Sequence, residues 1–275
     1  MEEWEIVINN WVEIQEEVFR DSWNPDLGRY RSQCAFRGVP DVKSRLETGL
    51  MRLSDNFEIL EPHLLRNFRK YAPLDSVEID SFWHWLSMAQ HHGLPTRLLD
   101  WTFSPMVAMH FATSRIEDYD IDGVIWSVNY VETHKSLPEK FKKIAEEEGS
   151  LVFTLEMLTE AVDSFKALQK LKDEEPDFVL FLEPPSIDAR IVNQYAMFSV
   201  MPDPTTFLDD WLKEKFKDNP KLFRRIIIPS DVKPEIRDKL DRSNITERVI
   251  FPGLDGLSSW LRRHYSSFSS KKKTK

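Results

Sequence analysis

The chain has 275 residues, of which 41% are apolar and 30% are charged, so it has enough apolar material for one large domain or two small ones. Its formal net charge of −9 at pH 7 argues against a broad basic surface for nucleic acid, but it is compatible with a local basic groove. Cys34 is the only cysteine, which excludes an internal disulfide and a cysteine-rich zinc site and favours a reducing, cytoplasmic location.

Several motifs of well-known sites are absent from the sequence. The glycines fit neither of the glycine-rich loops that hold phosphates, and the G-x-S-x-G turn of serine hydrolases does not occur. The acidic start of the chain does not resemble a signal peptide, and no apolar run approaches the ~18 residues that span a bilayer. We therefore expect no membrane contact. We also expect no metal, because no H-E-x-x-H or comparable ligand spacing occurs.

Apolar spacing and boundary residues predict the elements of the first half of the chain. We predict helices over residues 4–20, 61–71 and 82–91 and a short strand over residues 34–39. Ser104 followed by Pro105 is typical of a helix start, with serine as the cap and proline at the first position. The apolar residues that follow predict a deeply buried helix through Ala112.

The second half of the chain continues to mix helices and strands. We predict strands over residues 123–129, 178–182, 197–200 and 225–228, and helices over residues 155–171, 187–194, 206–217, 230–240 and 256–265. The order lacks regular β-α-β repetition, which favours an α+β fold with a mainly antiparallel sheet surrounded by helices. We expect an N-terminal helix in residues 1–21 that packs on the core, a main domain over 22–265, and a flexible Ser/Lys tail over 266–275.

The segment from Ser81 to Thr102 carries polar and ionisable side chains within an apolar sequence. A buried polar group without a partner costs ~1–3 kcal/mol, so these groups either form a structural hydrogen-bond network or line a cleft. Composition favours the network, because most buried polar groups are structural. Arg37 has two interpretations of equal weight, namely ligand binding and anchoring of a loop through a carboxylate such as Asp100.

The motifs of this sequence resemble those of the FRG domain. The resemblance is carried by Phe36-Arg37-Gly38, by the run from Gln90 to Thr102, and by two later segments at 189–194 and 251–256. It extends over about residues 22–265, and the central run is the specific part, because the triplet alone would occur by chance. The family is largely uncharacterised, so the resemblance implies a fold group more firmly than an activity.

The order of the motifs also resembles the ADP-ribosyltransferase superfamily. Members with an arginine-serine-glutamate pattern have an aromatic-Arg-Gly strand end, then a Ser/Thr-rich strand that runs into an apolar helix, and a late acidic residue. Arg37 matches the first motif and residues 96–102 match the second, whereas Gln194 stands at the best position for the acidic residue. The resemblance implies an ADP-ribosyltransferase-like fold with NAD as the substrate and Arg37 on its phosphates.

The same resemblance implies roles for the other polar residues of the central run. Thr96 and Thr102 would shape the cleft, and His91, His92 and Arg97 would contact the nucleotide. A histidine at a helix end is also explained by the helix dipole alone. Gln194 would hold the ribose, or it would act only as a supporting amide outside the ligand contacts.

Cleavage of NAD builds positive charge on the ribose, which a carboxylate stabilises and a glutamine amide does not. Asp100, Glu183 and Glu247 are the candidates to supply that charge. The implied partners are NAD or a related nucleotide and a protein or nucleic-acid target, as in toxin or antiviral systems. The alternatives are an inactive relative and a non-catalytic module that binds a nucleotide, a nucleic acid or a protein.

Overall fold

The computed structural model describes residues 2–73 and 76–266. Their strands form one large sheet and one small hairpin. The strands are β1 (Glu5–Val7), β2 (Trp23–Asn24), β3 (Arg29–Tyr30), β4 (Cys34–Val39), β5 (Leu99–Thr102), β6 (Gly123–Asn129), β7 (Leu180–Leu182), β8 (Ala196–Val200) and β9 (Phe223–Ile228). The large sheet has the order β1-β9-β6-β4-β5-β8-β7, and β2 pairs with β3. Every neighbouring pair is antiparallel except β1 and β9. This arrangement confirms the predicted α+β class with a mainly antiparallel sheet.

Helices cover both faces of the sheet. They are α1 (Trp11–Val18), α2 (Phe57–Tyr71), α3 (Phe82–His91), α4 (Pro105–Thr113), α5 (Tyr130–His134), α6 (Glu139–Glu147), α7 (Leu155–Ala161), α8 (Phe165–Glu174), α9 (Ala189–Gln194), α10 (Leu208–Phe216), α11 (Lys233–Arg242), α12 (Glu247–Ile250) and α13 (Leu254–His264). Alternate residues of β6 face two cores, because Trp126 packs with α10 and Ile125 packs with α1, α4 and α11. A third core joins α2, α3 and α6–α8 to the other end of the sheet.

Helix α4 packs directly on β4, as the predicted buried helix requires. Its start is confirmed, because the Ser104 hydroxyl accepts the Val107 N–H and Pro105 is the first helical residue. Gly38 allows the close approach, since a Cβ there would lie 1.7 Å from the Ala108 carbonyl oxygen. The glycine of the Phe36-Arg37-Gly38 triplet is therefore a packing requirement of the fold.

The N-terminal segment differs from the predicted helix over residues 4–20. Its first part is strand β1, which lies parallel to β9, and the helix begins only at Trp11. Asn10 sets that start, because its side chain accepts the N–H groups of Val12 and Glu13. Helix α1 still packs on the core as predicted, through Ile14 and Val18.

The predicted helix over residues 155–171 is two helices. Helix α7 ends at Ala161, and the Ser164 hydroxyl caps α8 by accepting the Ala167 N–H. The apolar spacing continues across the break because both helices contribute to one core. The helix predicted over residues 230–240 begins later, because the Ser230 N–H donates to Asp122 Oδ1 and α11 begins at Lys233.

Buried ion pairs join the three C-terminal helices. Arg263 donates from Nε to Glu247 Oε1 at 2.5 Å and from Nη1 to Asp241 Oδ2 at 2.8 Å. Arg237 donates to Asp241 Oδ1 at 3.0 Å and is fully buried, with its Nη1 2.8 Å from His110 Nδ1. Each arginine in this cluster therefore has at least one carboxylate partner.

No helix within the described residues is both long and apolar enough to cross a membrane. The predicted tail over 266–275 lies outside the described residues except for Ser266.

Candidate nucleotide cleft

A cleft opens where two central strands of the sheet separate. β4 pairs with β6 at six positions and β5 pairs with β8 at four, but β4 and β5 pair only between Phe36 and Thr102. The divergence leaves a cavity of about 770 Å³ between the end of α3, the loop after β4, and α9. Small-molecule sites typically have volumes of ~300–1,000 Å³, so this β4–β5 cleft has the size of a ligand site.

Arg37 lies at the point of divergence, directly after the Phe36–Thr102 pair. Its Nη1 donates to the backbone carbonyl of Asp100 at 2.6 Å, across the gap between the strands. Its Nε is buried without a hydrogen-bond partner, and the guanidinium forms no ion pair with any described residue. Burial lowers the pKa of Arg37 and the Asp100 carboxylate raises it, but an arginine stays protonated in proteins. A cation with unused donors in a cleft is suited to an anionic ligand.

A chain of hydrogen bonds orients the Asp100 carboxylate in the cleft. The Gln90 Nε2 donates to Asp100 Oδ1 at 3.0 Å, and the Thr96 hydroxyl donates to Gln90 Oε1 at 2.6 Å. The Thr96 oxygen accepts the Leu98 N–H at 3.1 Å, which leaves its proton for Gln90. Thr96 is buried and does not line the cleft, so it acts on the cleft only through Gln90.

His91 connects α3 to α9. Its Nε2 lies 2.7 Å from Asp188 Oδ2, while Asp188 Oδ1 accepts the Ile191 N–H as the cap of α9. Burial raises the pKa of Asp188, but the hydrogen bonds from Ile191 and His91 outweigh it and hold the pKa below its usual value. Both His91 and the exposed His92 line the cleft. His91, with a side chain only 8% exposed, fixes the wall that α9 forms.

Thr102 and Gln194 form the next part of the wall. The Thr102 hydroxyl donates to the Gln194 carbonyl at 2.7 Å and accepts the Ser104 N–H at 3.0 Å. Gln194 is the last residue of α9, and its Nε2 donates to the Ile250 carbonyl at 3.4 Å. Its side-chain oxygen therefore remains available. The structure brings Gln194 into the same cleft as Arg37, although 157 positions separate them (194 − 37).

Arg97 lies outside the cleft. Its Nε and Nη2 contact Glu61 Oε2 at 2.7 and 2.6 Å, and its Nη1 donates to the Pro202 carbonyl at 2.8 Å. The Arg97 residue is 7% exposed and Glu61 is 1% exposed. Arg97 is therefore a structural group, which corrects the predicted contact with a nucleotide: the chain turns between Thr96 and Leu98 so that this side chain enters the interior.

The three carboxylates that the sequence offered for charge stabilisation lie in different places. Asp100 lines the cleft. Glu247 is 6% exposed and bonded to Arg263, and Glu183 does not line the cleft, so neither is placed to act on a ligand there. Sequence reasoning missed Glu47, which does line the cleft.

Two arginines in the cleft were also missed as site residues. Arg52 follows β4, and Arg190 belongs to α9. Neither forms an ion pair with a described residue, so the cleft contains three unpaired arginines against the carboxylates of Glu47 and Asp100. The net charge of the whole chain, −9, conceals this local excess of positive charge. Arg190 could have been found, because it lies in a segment that carries the FRG resemblance, but Arg52 had no sequence signal.

Comparison with known families gives one match. Residues 32–121, about a third of the chain, match the FRG domain. The matched part contains Arg37, His91, His92, Asp100 and Thr102, whereas α9 with Arg190 and Gln194 lies beyond it. No curated protein and no solved structure matches the chain.

Proposed function

We propose that the β4–β5 cleft binds NAD through its phosphates and that the protein is an ADP-ribosyltransferase-like enzyme. The state of Arg37 carries this proposal. Its guanidinium faces a cavity of about 770 Å³, with a buried Nε that has no partner and with no carboxylate paired to it among the described residues. Phosphate oxygens are suited to the outer N–H groups of such a guanidinium, because arginine binds them through two parallel N–H bonds.

The chemistry requires separation of charge at the ribose. The bond between the nicotinamide nitrogen and ribose C1′ breaks, and its electron pair leaves with nicotinamide. A lone pair of the acceptor forms the new bond to C1′, and the acceptor's proton passes to water or to a carboxylate of the cleft. The Asp100 carboxylate, oriented by Gln90, is the group that stabilises the positive ribose, and Gln194 Oε1 accepts a ribose hydroxyl.

Binding of NAD to the wild type and to an Arg37→Ala variant tests the proposal. We expect the variant to bind NAD about 10–100-fold more weakly, because hydrogen bonds to a charged group contribute ~1.5–3 kcal/mol. Calorimetry measures the affinity, and chromatography of the reaction mixture measures released nicotinamide. Arg242→Ala is the matched control, since Arg242 is an exposed arginine on α11 outside the cleft. A wild type that neither binds NAD nor is stabilised by it against heat contradicts the proposal.

A specific observation favours a second function, a non-catalytic nucleotide-binding module. Gln194 presents a neutral amide at the position where the resemblance expects a glutamate. An amide keeps the hydrogen bond to the ribose but supplies no negative charge, so it supports binding better than turnover. The second function is identified if the protein binds NAD tightly without releasing nicotinamide and if an Asp100→Asn variant has the same NAD affinity.

A further inference from the structure

Arg52 belongs to a loop after β4 that is fixed against the rim of the β4–β5 cleft. Leu46 and Leu50 of this loop are 1% and 0% exposed, and the Leu50 N–H donates to the Thr96 carbonyl at 3.1 Å. Arg52 itself is exposed, and its Nη1 donates to the Glu47 carbonyl at 2.9 Å within the loop. The anchored backbone therefore holds an exposed guanidinium at the cleft.

The charges of Arg37 and Arg52 act on one another. Burial lowers the pKa of Arg37, the Asp100 carboxylate raises it, and the positive charge of Arg52 lowers it. Neither guanidinium forms an ion pair with a described residue. Two positive charges that face one cavity repel each other. An anion bound between them attracts both guanidinium groups and offsets that repulsion.

We propose that Arg37 and Arg52 form a two-arginine clamp that binds the diphosphate of a nucleotide, with one guanidinium on each phosphate. This inference rests on the proposed function, to which it adds a second binding residue and a substrate class. A diphosphate offers two charged groups joined by one bridging oxygen, whereas a monophosphate offers only one. The clamp therefore selects nucleoside diphosphates and dinucleotides over nucleoside monophosphates.

Arg190 is the other unpaired arginine of the cleft, but the protein already engages it. Its guanidinium lies 5.3 Å from the centre of the Phe251 ring, and its Nη1 contacts the His91 carbonyl at 3.5 Å. Arg52 is the better second arm of the clamp, because its guanidinium is exposed at the cleft without an aromatic ring on it and its positive charge acts on Arg37.

Calorimetry with ADP, AMP and NAD on the full chain tests the clamp, because ADP and AMP differ by one phosphate. We expect the wild type to bind ADP at least tenfold more tightly than AMP. Arg52→Gln should weaken ADP and NAD about tenfold and change AMP by less than threefold, and Arg52→Lys should keep part of the ADP affinity. Arg242→Gln should change none of the three affinities, and thermal unfolding confirms that each variant is folded.

The outcomes separate this inference from the function on which it rests. Equal losses for ADP and AMP, or no loss for either, overturn the clamp. The proposed function stands in that case if Arg37→Ala still weakens NAD binding about 10–100-fold. A wild type that binds neither ADP nor NAD overturns both.

Discussion

Arginines in the interior and arginines in the cleft differ in their partners. In the interior, Arg97 is paired with Glu61, and Arg263 is paired with two carboxylates of the C-terminal helices. In the cleft, Arg37 and Arg52 donate to backbone carbonyls and form no ion pair with a described residue. The same side chain is thus a fixed part of the fold in one region and an open donor in the other.

This difference separates two consequences of mutation. Removal of one partner from a buried pair leaves an uncompensated charge, which destabilises the folded state strongly. Removal of an unpaired cleft arginine leaves no such charge, so its cost should appear more in ligand affinity than in stability.

Arg97→Leu should lower the free energy of unfolding by about 3–5 kcal/mol, because it leaves the Glu61 carboxylate buried and alone. Urea denaturation measures this loss. The double variant Arg97→Leu/Glu61→Leu should recover most of the stability, since neither charge then remains in the interior. The affinity of folded Arg97→Leu for NAD should stay within about threefold of the wild type. A stable single variant with weakened NAD binding would place Arg97 with the cleft arginines.

His134 provides a pH test of the interior. Burial lowers its pKa to about 4, and the ring is held between the Phe181 N–H at 3.0 Å and the Leu151 carbonyl at 3.1 Å. The unfolded chain takes up a proton near the ordinary value of 6.5, whereas the folded protein resists protonation down to about 4. His134 should therefore make its whole contribution to the free energy of unfolding above pH 6.5. That contribution, on the order of 3 kcal/mol, should be lost as the pH drops towards 4.

Urea denaturation between pH 7.5 and 4.5 measures that slope in the wild type and in two variants. His134→Gln should be less stable at pH 7.5 and should show a shallower slope. Burial and the charges of Arg237 and Arg263 lower the pKa of His110 well below its usual value, so part of the slope should remain in that variant. His92→Gln is the control, because this exposed histidine of the cleft contributes no buried ring. If His92→Gln removed the pH dependence of the free energy of unfolding and His134→Gln kept it, the assignment of this dependence to the interior would be wrong.

Arg52→Gln should have the smallest effect on stability, about 0.5 kcal/mol or less, because this exposed arginine loses only its bond to the Glu47 carbonyl. Arg37→Gln should cost about 1 kcal/mol, because it loses the hydrogen bond to the Asp100 carbonyl but no ion pair with a described residue. Thermal and urea unfolding without nucleotide measure this change. With NAD present, the wild type should gain stability from ligand binding and Arg37→Gln should not. A large loss of stability in the absence of ligand would show that these arginines are structural after all.

Elements that depend on neighbouring residues were predicted well from the sequence. The strand over 123–129 and the helix over 82–91 have the predicted bounds, and Ser104 with Pro105 starts α4. The prediction of a helix from residue 4 was wrong, because strand β1 depends on pairing with β9, more than 200 positions later. The break at Ser164 was hidden because α7 and α8 share one core and therefore one apolar spacing.

In the candidate site, too, residues within sequence motifs were predicted and a residue placed by distant contacts was not. Motif resemblance selected Arg37, Asp100, Thr102 and Gln194, and the structure places all of them at one cleft. The roles of these residues remain predictions. Arg52 had no motif to identify it, because its position depends on how the loop after β4 anchors its buried leucines.

The sequence by itself determined the α+β class, the buried helix after Ser104 and the run of polar residues that borders the cleft, because periodicity and boundary chemistry act over a few residues. Only the tertiary structure decided which arginines are paired, since the strength of an ion pair depends on the distance and burial of residues far apart in the chain. Arg37 and Arg97 both lie in segments that carry the FRG resemblance, and only the directions of their strand and loop place one at a cavity and the other beside Glu61.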